Sequence, residues 1–165
     1  MLNQLDDTDI QILRLLQDNA RLSNAEIGER VAKSQGSVNM RLKRLHEEGF
    51  ILKYVAILDP VKLERGMMVL THLQLRDHSR KALKQFESEI NKIPEVLECL
   101  HVSGIFDFTL RVVVKDVAAY QDFLENTIFE AVPMANVQSS FVLKQSKSGT
   151  ALPLNSAKQK EKKGK

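Results

Sequence analysis

Residues 23–50 read SNAEIGERVAKSQGSVNMRLKRLHEEGF and decide the fold of the first part of the chain. Ser23 and Glu26 have the spacing of a capping box, so we expect a helix to begin there. The chain then breaks just before Ser34, a typical N-cap for a second helix that reaches about Glu48. Two short helices joined by such a tight corner are typical of a helix-turn-helix.

The second helix of this pair is apolar on one side and basic on the other. Val38, Leu42 and Leu45 fall at i, i+4 and i+7 and form its buried stripe. Residues 30–44 hold five basic side chains and no acidic one. The outer side, with its small, polar and cationic residues, suits the major groove of DNA. A solvated helix in an all-α bundle gives the same pattern, so the helix pair alone does not decide between the two.

The flanking sequence extends the pair to a winged helix-turn-helix. An acidic cluster precedes the apolar stripe of Ile10, Leu13 and Leu16, which predicts a first helix. Gly49 is a typical helix stop, and the apolar run after it predicts the strand or strands of a wing at residues 51–58. Three helices and a wing in this order favour DNA binding over a helical bundle.

Composition narrows the class of protein. The 165 residues, 43% of them hydrophobic, allow one ordinary domain or two small ones. No apolar run approaches the ~20 residues of a membrane span, and we expect neither a signal peptide nor a membrane partner. The single cysteine, Cys99, excludes an internal disulfide framework, fits a reducing cytoplasm and is interpreted as a small buried hydrophobe.

The net charge of +3 comes from the C-terminal end. Residues 155–165 hold five lysines and one glutamate and contribute +4, so the rest of the chain carries −1. We expect residues 155–165 to form a disordered basic tail, which either adds phosphate attraction or only aids solubility. The evidence for nucleic acid is therefore the local cluster at residues 30–44 and not the total charge.

The second half of the chain predicts a different architecture. Strands are expected at residues 68–75, 96–102, 106–114 and 137–143, and helices at residues 79–92 and 116–128. This order is that of a βαββαβ ferredoxin-like unit, an α+β fold with both helices on one face of an antiparallel sheet.

The other face of this sheet is expected to be covered by a second copy of the chain. Apolar residues are assigned to it where a solvated face would be polar, namely Leu70, Leu97, Cys99, Phe108 and Val113. A homodimer would bury them and would also present two helix-turn-helix units to half-sites about one turn of DNA apart.

A series of short motifs runs through the chain. They are Leu5-Asp6, Ile12-Leu13, Arg21-Leu22-Ser23, Ser37-Val38, Arg41-Leu42-Lys43-Arg44-Leu45, Glu48-Gly49-Phe50-Ile51, Leu58-Asp59-Pro60, Pro94-Glu95-Val96, Ser103-Gly104-Ile105-Phe106-Asp107-Phe108, Ser140-Phe141-Val142-Leu143-Lys144 and Leu152-Pro153. In this order they resemble the Lrp/AsnC regulators, or feast/famine regulatory proteins, over about residues 5–154. The resemblance implies a DNA-binding domain at residues 1–59, a linker at 60–65 and an effector-binding, oligomerising domain of the RAM type at 66–154. It also implies dimers, often assembled into octamers, and in many members a free amino acid bound between subunits.

Double-stranded DNA is the expected partner of the second helix of the pair. Its DNA-binding residues are predicted to be Ser34, Gln35, Ser37, Asn39, Met40, Arg41, Lys43 and Arg44. Four of these, Ser37, Asn39, Met40 and Lys43, are expected to face bases. Arg41 and Arg44 are expected to grip phosphates, which fixes the register but carries no sequence information. Ser34 and Gln35 either cap the helix or contact phosphate, and capping is favoured for Ser34.

An effector site is predicted at the turn of residues 103–107. An α-amino acid needs an anion for its ammonium group and donors for its carboxylate, and this turn offers a carboxylate and backbone N–H groups together. Gly104 and Asp107 match the effector loop of the family, although Asp107 by itself would be interpreted as a turn cap. Phe106 stands where the family commonly has tyrosine. The resemblance implies a site of Ser103, Gly104, Phe106, Asp107, Gln138, Ser139 and Ser140.

The sequence offers little support for an enzyme. The histidines at 46, 72, 78 and 101 lack metal-ligand spacing, and there is no Walker loop, GxSxG or Rossmann fingerprint. We therefore expect no catalytic residue, metal or cofactor. The prediction is a cytoplasmic, sequence-specific transcriptional regulator whose DNA binding or assembly is modulated by an amino acid. The alternative is a metabolic small-molecule-sensing module without a DNA role, which would have no reason to keep the cationic helix.

Overall fold

The computed structural model describes residues 5–131 and 133–154, and the chain divides into two units. The first comprises residues 1–56 and 147–165, and the second residues 57–146. This division differs from the predicted one, which assigned everything from residue 66 to 154 to the second domain. The predicted basic tail at residues 155–165 lies outside the described residues.

Three helices form the first unit: α1 (Asp7–Asp18), α2 (Asn24–Val31) and α3 (Gln35–Glu47). The capping box predicted at Ser23 is present, since its side chain accepts from the N–H of Glu26 and the Glu26 carboxylate accepts from the N–H of Ser23. Ser34 caps α3 as predicted, its hydroxyl accepting from the N–H of Ser37 at 3.2 Å. The buried residues of this unit's core are Leu5, Ile10, Ile12, Ile27, Val31, Val38 and Leu45.

The corner between α2 and α3 depends on a close approach of two backbone segments. Gly28 has no side chain at the point of contact. A Cβ placed on it would lie 2.6 Å from the carbonyl oxygen of Lys33. The N–H of Lys33 donates to the Gly28 carbonyl at 2.9 Å. Ala32 ends α2 in the left-handed region at φ 52°, which turns the chain sharply into α3.

Replacing Gly28 with alanine is expected to destabilise the first unit by about 2 kcal/mol, because the added methyl group would displace the backbone of Lys33. This loss outweighs the higher helix propensity of alanine. Gly36 is the matched control, since no described atom lies within 4 Å of a Cβ placed there. Gly36→Ala is expected to be neutral or to stabilise by up to about 1 kcal/mol. Urea unfolding followed by far-UV circular dichroism measures both, and equal effects of the two substitutions would contradict the packing described for the corner.

The predicted wing strand at residues 51–58 is wrong for the single chain. These residues form no strand, and no described strand lies beside them for backbone pairing. Leu52, Val55 and Ile57 are exposed. An extended segment without a hydrogen-bonded neighbour does not form a sheet, however β-prone its side chains are.

The C-terminal arm, residues 147–154, packs against α1. Leu154 borders the core of the first unit, and the Arg14 guanidinium donates to its carbonyl oxygen. Gln17 makes two bonds to Leu152, accepting from its N–H at 2.6 Å and donating to its carbonyl at 3.2 Å. These bonds explain why the arm belongs with the helices and not with the sheet.

The second unit has the predicted βαββαβ order. Its elements are β1 (Met67–Leu75), α4 (Arg80–Ile90), β2 (Val96–His101), β3 (Phe108–Val114), α5 (Val117–Phe123), a π-helical turn (Leu124–Ile128), α6 (Phe129–Ala131) and β4 (Met134–Phe141). The four described strands pair antiparallel in the order β2-β3-β1-β4. The ferredoxin-like prediction is therefore confirmed, with β3 and β4 shifted from the predicted bounds.

The helices cover one face of this sheet, and the core of the second unit lies between the helices and that face. Phe86 of α4 and Phe108 of β3 are central to this core, with ring centroids 4.5 Å apart. The assignment of Phe108 and Cys99 to the opposite face is wrong, because both belong to or border this helix-covered core. Phe108 begins β3 on the same side as Leu110. An irregularity in β2 between Val96 and Glu98 changes the alternation before Cys99.

Cys99 lies half-buried under the helices, in agreement with its interpretation as a small hydrophobe. Burial, with a smaller contribution from the carboxylate of Glu87, raises the pKa of the Cys99 thiol to about 11. At pH 8 only about one thiol in a thousand is then ionised, and the thiolate is the reactive form.

We expect an aromatic disulfide reagent to modify Cys99 far more slowly in the folded protein than in urea. Equal rates in the two conditions would contradict the burial.

Candidate DNA-binding and effector sites

The outer side of α3 presents polar and apolar side chains together. Val38 and Leu45 are buried beneath it, while Gln35, Asn39 and Lys43 are exposed. Met40 is 72% exposed, so its apolar side chain is accessible on this side of the helix. The outer side of α3 is thus open to solvent, with Lys43 as its exposed cation.

Arg41 and Arg44, predicted to grip phosphates, are engaged within the unit. Nη1 of Arg41 lies 2.7 Å from Oδ2 of Asp6 and 2.6 Å from Oδ1 of Asp9. Nη2 of Arg44 lies 2.5 Å from Oδ2 of Asp9. Asp9 is only 1% exposed and also accepts from the N–H of Asp6, so its carboxylate has three partners and joins the start of α1 to two arginines of α3. The two arginines therefore hold the helices together.

Asn39 is also in contact with the neighbouring helix. Its Oδ1 accepts from Nδ2 of Asn24 at 3.3 Å, close to the limit of a hydrogen bond. The contact is weak and exposed, so the Asn39 amide is free to exchange Asn24 for another partner.

The loop between β2 and β3 holds the predicted effector residues at one edge of the sheet. Gly104 has φ 131°, a region that favours glycine, and both it and Ser103 are exposed. Phe106 packs its ring 5.4 Å from His72. Asp107 ties the loop to β1, since its N–H donates to the carbonyl of Leu73 at 2.8 Å.

The Asp107 carboxylate is partly used inside the unit. Oδ2 accepts from the N–H of Leu75 at 2.8 Å and lies 3.1 Å from Nε2 of His78. The described residues provide no hydrogen bond or ion pair to Oδ1. One oxygen of this carboxylate thus anchors the loop, and the other accepts no hydrogen bond from the described residues.

The three residues of β4 that were predicted to bind the effector point to opposite faces of the sheet. Gln138 pairs with His72 and Ser140 with Leu70, on the face of the sheet away from the helices. Ser139 points toward the helices, where its hydroxyl lies 2.6 Å from that of Tyr120, which also bonds Thr71. The structure therefore brings Gln138 and Ser140 to the open face and separates Ser139 from them.

This open face is mixed in character and not uniformly apolar. Leu70 and Leu100 lie on it with the ion pair of Arg111 and Glu98, 2.9 Å apart, and with Thr109, which bonds His72. It is the face predicted to be covered by a second copy of the chain.

Two protein-family models match the chain in these two units. The model of the winged helix-turn-helix DNA-binding domain matches residues 5–51, and that of the Lrp/AsnC ligand binding domain matches residues 68–152. The chain is a member of the Lrp/AsnC family. It is a DNA-binding transcriptional regulator whose second domain binds an effector.

Relatives of this regulator match it over nearly their full length. A Bkd operon transcriptional regulator from Pseudomonas aeruginosa is 39% identical over 151 residues, which are 92% of this chain and 99% of that protein. The crystal structure of a transcriptional regulator from Neisseria meningitidis in complex with L-Met has 38% identity and a TM-score of 0.87, covering 92% of this chain and 97% of that one. An AsnC family regulator from Agrobacterium tumefaciens has 36% identity and a TM-score of 0.87, covering 90% and 97%.

The sequence analysis did not identify the residues whose hydrogen bonds and ion pairs hold the predicted site residues in place. Asp6 and Asp9 were interpreted only as acids at a helix N-terminus, although Asp9 is the buried partner of two arginines. His78 was considered only as a possible metal ligand, and nothing in the sequence indicated that the Tyr120 hydroxyl bonds Thr71 and Ser139. Within residues 5–131 and 133–154, no three His, Cys, Asp or Glu side chains converge on a metal position, and no described helix is long and apolar enough to cross a membrane.

Proposed function

We propose that α3 enters the major groove of double-stranded DNA and that its exposed side chains read the bases. The observation that carries this proposal is the outer side of α3, where Met40 and Lys43 are exposed without a buried structural role. Ser37, Asn39, Met40 and Lys43 would contact base edges, and Gln35 would contact the backbone near the helix N-terminus. Ser34 would act as a cap.

The proposed effector is a free amino acid with an apolar side chain. The complex of the Neisseria relative with L-Met supports this class of ligand. Oδ1 of Asp107 would accept from the ammonium group, and backbone N–H groups around Ser103 and Gly104 would bind the carboxylate. The Phe106 ring would contact the ligand's side chain. Gln138 and Ser140 would complete the site from the open face, and Ser139 is left out because its hydroxyl is bonded to Tyr120.

Assembly would complete this site. The loop and the open face are exposed on the single chain, whereas a ligand is held more tightly when surfaces enclose it. We propose a homodimer that packs these faces together and assembles further, to an octamer, in the cytoplasm where the DNA lies. Because the ligand would bind one arrangement of subunits better than another, it would shift their equilibrium and with it the spacing of the α3 helices.

A thermal-shift screen against the twenty amino acids tests the effector proposal. A ligand at a hundred times its dissociation constant stabilises the protein by about 2.7 kcal/mol, which gives a visible shift. We expect a response to methionine-like and branched aliphatic residues. Asp107→Asn should lose that response and retain DNA binding, because its amide oxygen still accepts from Leu75.

The control for this screen is Glu89→Gln, which removes an exposed acid paired with Lys92 at 2.8 Å and should leave the response unchanged. A normal response in Asp107→Asn would contradict the proposed site. Loss of both the response and the folded state would instead assign Asp107 a purely structural role.

A further inference from the structure

The acids and arginines between α1 and α3 form an electrically neutral cluster. It contains the two guanidinium groups of Arg41 and Arg44 and the two carboxylates of Asp6 and Asp9, joined by three contacts of 2.5 to 2.7 Å. Two of the five basic residues at positions 30–44 are thus neutralised by partners from α1, which reduces the attraction of this surface for phosphate.

The cluster opens onto the surface proposed to meet DNA. It lines a shallow cavity of about 310 Å³ together with Ser37 and Met40 of α3. A DNA strand lying against α3 would therefore bring its phosphates, and their negative charge, close to the exposed carboxylate of Asp6.

The two acids differ in how firmly they are held. Asp9 is 1% exposed and is paired with both arginines. The side chain of Asp6 is 54% exposed and is paired with only one of the two arginines, Arg41. Asp6 also divides its two oxygens between two tasks. Oδ1 caps α1 by accepting from the N–H of Asp9 at 2.8 Å, and Oδ2 accepts from Arg41. Asp6 can give up Arg41 and still cap the helix.

We propose that Asp6 limits the affinity of this regulator for DNA by competing with a backbone phosphate for Arg41. In the free protein, Asp6 and Asp9 share the Arg41 guanidinium. On DNA, a phosphate oxygen takes the place of Oδ2 of Asp6, while Asp9 keeps the arginine in position. The inference rests on the proposed contact of α3 with DNA and adds a residue of α1 that acts through Arg41 without contacting a base.

The competition has a measurable electrostatic consequence. Each phosphate contact contributes a slope of about −0.9 to the dependence of log affinity on log salt concentration. In the parent protein, the Asp6 carboxylate that loses Arg41 on binding takes up a salt cation, which offsets the cation released by one phosphate contact. Removing this carboxylate should therefore steepen the slope by about 0.9. It should also tighten binding to a duplex of arbitrary sequence about eightfold in 0.1 M salt, with the gain fading toward 1 M.

Asp6→Asn is the variant of choice, because asparagine is as good an N-cap as aspartate. Binding of the full-length protein to a fluorescent 20-base-pair duplex of arbitrary sequence would be followed by anisotropy from 50 to 300 mM NaCl. Asp18→Asn is the matched control, since it removes one exposed acid from the other end of α1. We expect the gain for Asp6→Asn and little change for Asp18→Asn.

A double-mutant cycle links the effect to its proposed partner. In an Arg41→Gln background, Asp6→Asn should no longer tighten binding, because there is no guanidinium to release. The inference is overturned by unchanged affinity and slope in Asp6→Asn, by an equal gain in Asp18→Asn, or by a gain that persists without Arg41. A parent protein that binds no duplex at all would contradict the proposed DNA contact itself, and the inference would fall with it.

Discussion

Asp9→Asn is expected to destabilise the first unit by about 3 kcal/mol, the largest effect on stability foreseen for a single conservative change. The carboxylate of Asp9 is buried and accepts from Arg41, Arg44 and the N–H of Asp6. An amide of the same shape keeps one acceptor and turns its NH₂ toward a guanidinium group. Arg44 would then lose its paired carboxylate, and Arg41 would keep only that of Asp6.

Urea unfolding of the purified protein, followed by circular dichroism of the helices, measures this loss. Glu29→Gln is the control, an exposed acid on α2 for which the described residues supply no partner, and it should change the free energy of unfolding by less than about 0.5 kcal/mol. Equal stability of Asp9→Asn and the parent protein would show that the buried ion pairs do not hold α1 to α3.

Acid below pH 3.8 should act on the same cluster in a weaker way. Burial acts to raise the pKa of Asp6, but the N–H of Asp9 and the Arg41 guanidinium outweigh it and hold the pKa below the ordinary value of 3.8. Because the folded-state pKa is the lower one, the stability contributed by Asp6 is present above pH 3.8 and is lost as the pH falls through the folded-state pKa.

These contacts change which variants can test DNA binding. Removing Arg41 and Arg44 together would leave the buried Asp9 without a counter-charge, so lost binding could reflect lost structure. Lys43 has no such role, because it is 76% exposed and its nearest acid, Glu47, lies 3.7 Å away in the same helix. It is therefore the residue of α3 on which a DNA test should rest.

Lys43→Glu is expected to weaken DNA binding about 50-fold in 0.1 M salt, with only a small fall in melting temperature from the repulsion between the new carboxylate and Glu47. The substitution removes one cation and adds one anion, which changes the salt slope by nearly two phosphate contacts. Lys84→Glu, on the exposed side of α4, makes the same change in net charge away from α3 and should leave the affinity nearly unchanged. Similar losses in both variants would assign the effect to net charge and not to α3.

The sequence predicted those features that depend on neighbours a few residues away. The capping box at Ser23 and the cap at Ser34 are such features, because each side chain bonds a backbone N–H three residues on. The order of strands and helices was also predictable, since each element carries its own periodicity.

The features that the sequence did not predict depend on distant partners. Arg41 and Asp9 are 32 positions apart, so a basic helix and an acidic helix start could not be recognised as one ion-paired cluster. The strand predicted at residues 51–58 is absent for a related reason, because β propensity does not provide a pairing strand. Ser139 was grouped with Gln138, although adjacent residues of a strand point to opposite faces and only Gln138 faces away from Tyr120.

Selection from a random duplex library tests most directly whether α3 reads DNA sequence. The purified protein and its Lys43→Glu variant would each be carried through rounds of binding, recovery and sequencing. We predict that the parent enriches a two-fold symmetric motif with half-sites about one turn, or a whole number of turns, apart. The variant should lose or alter that motif. No enriched motif with the parent would contradict sequence recognition by α3 and favour a sensing module without a DNA role. The same motif with both proteins would contradict the base contact assigned to Lys43.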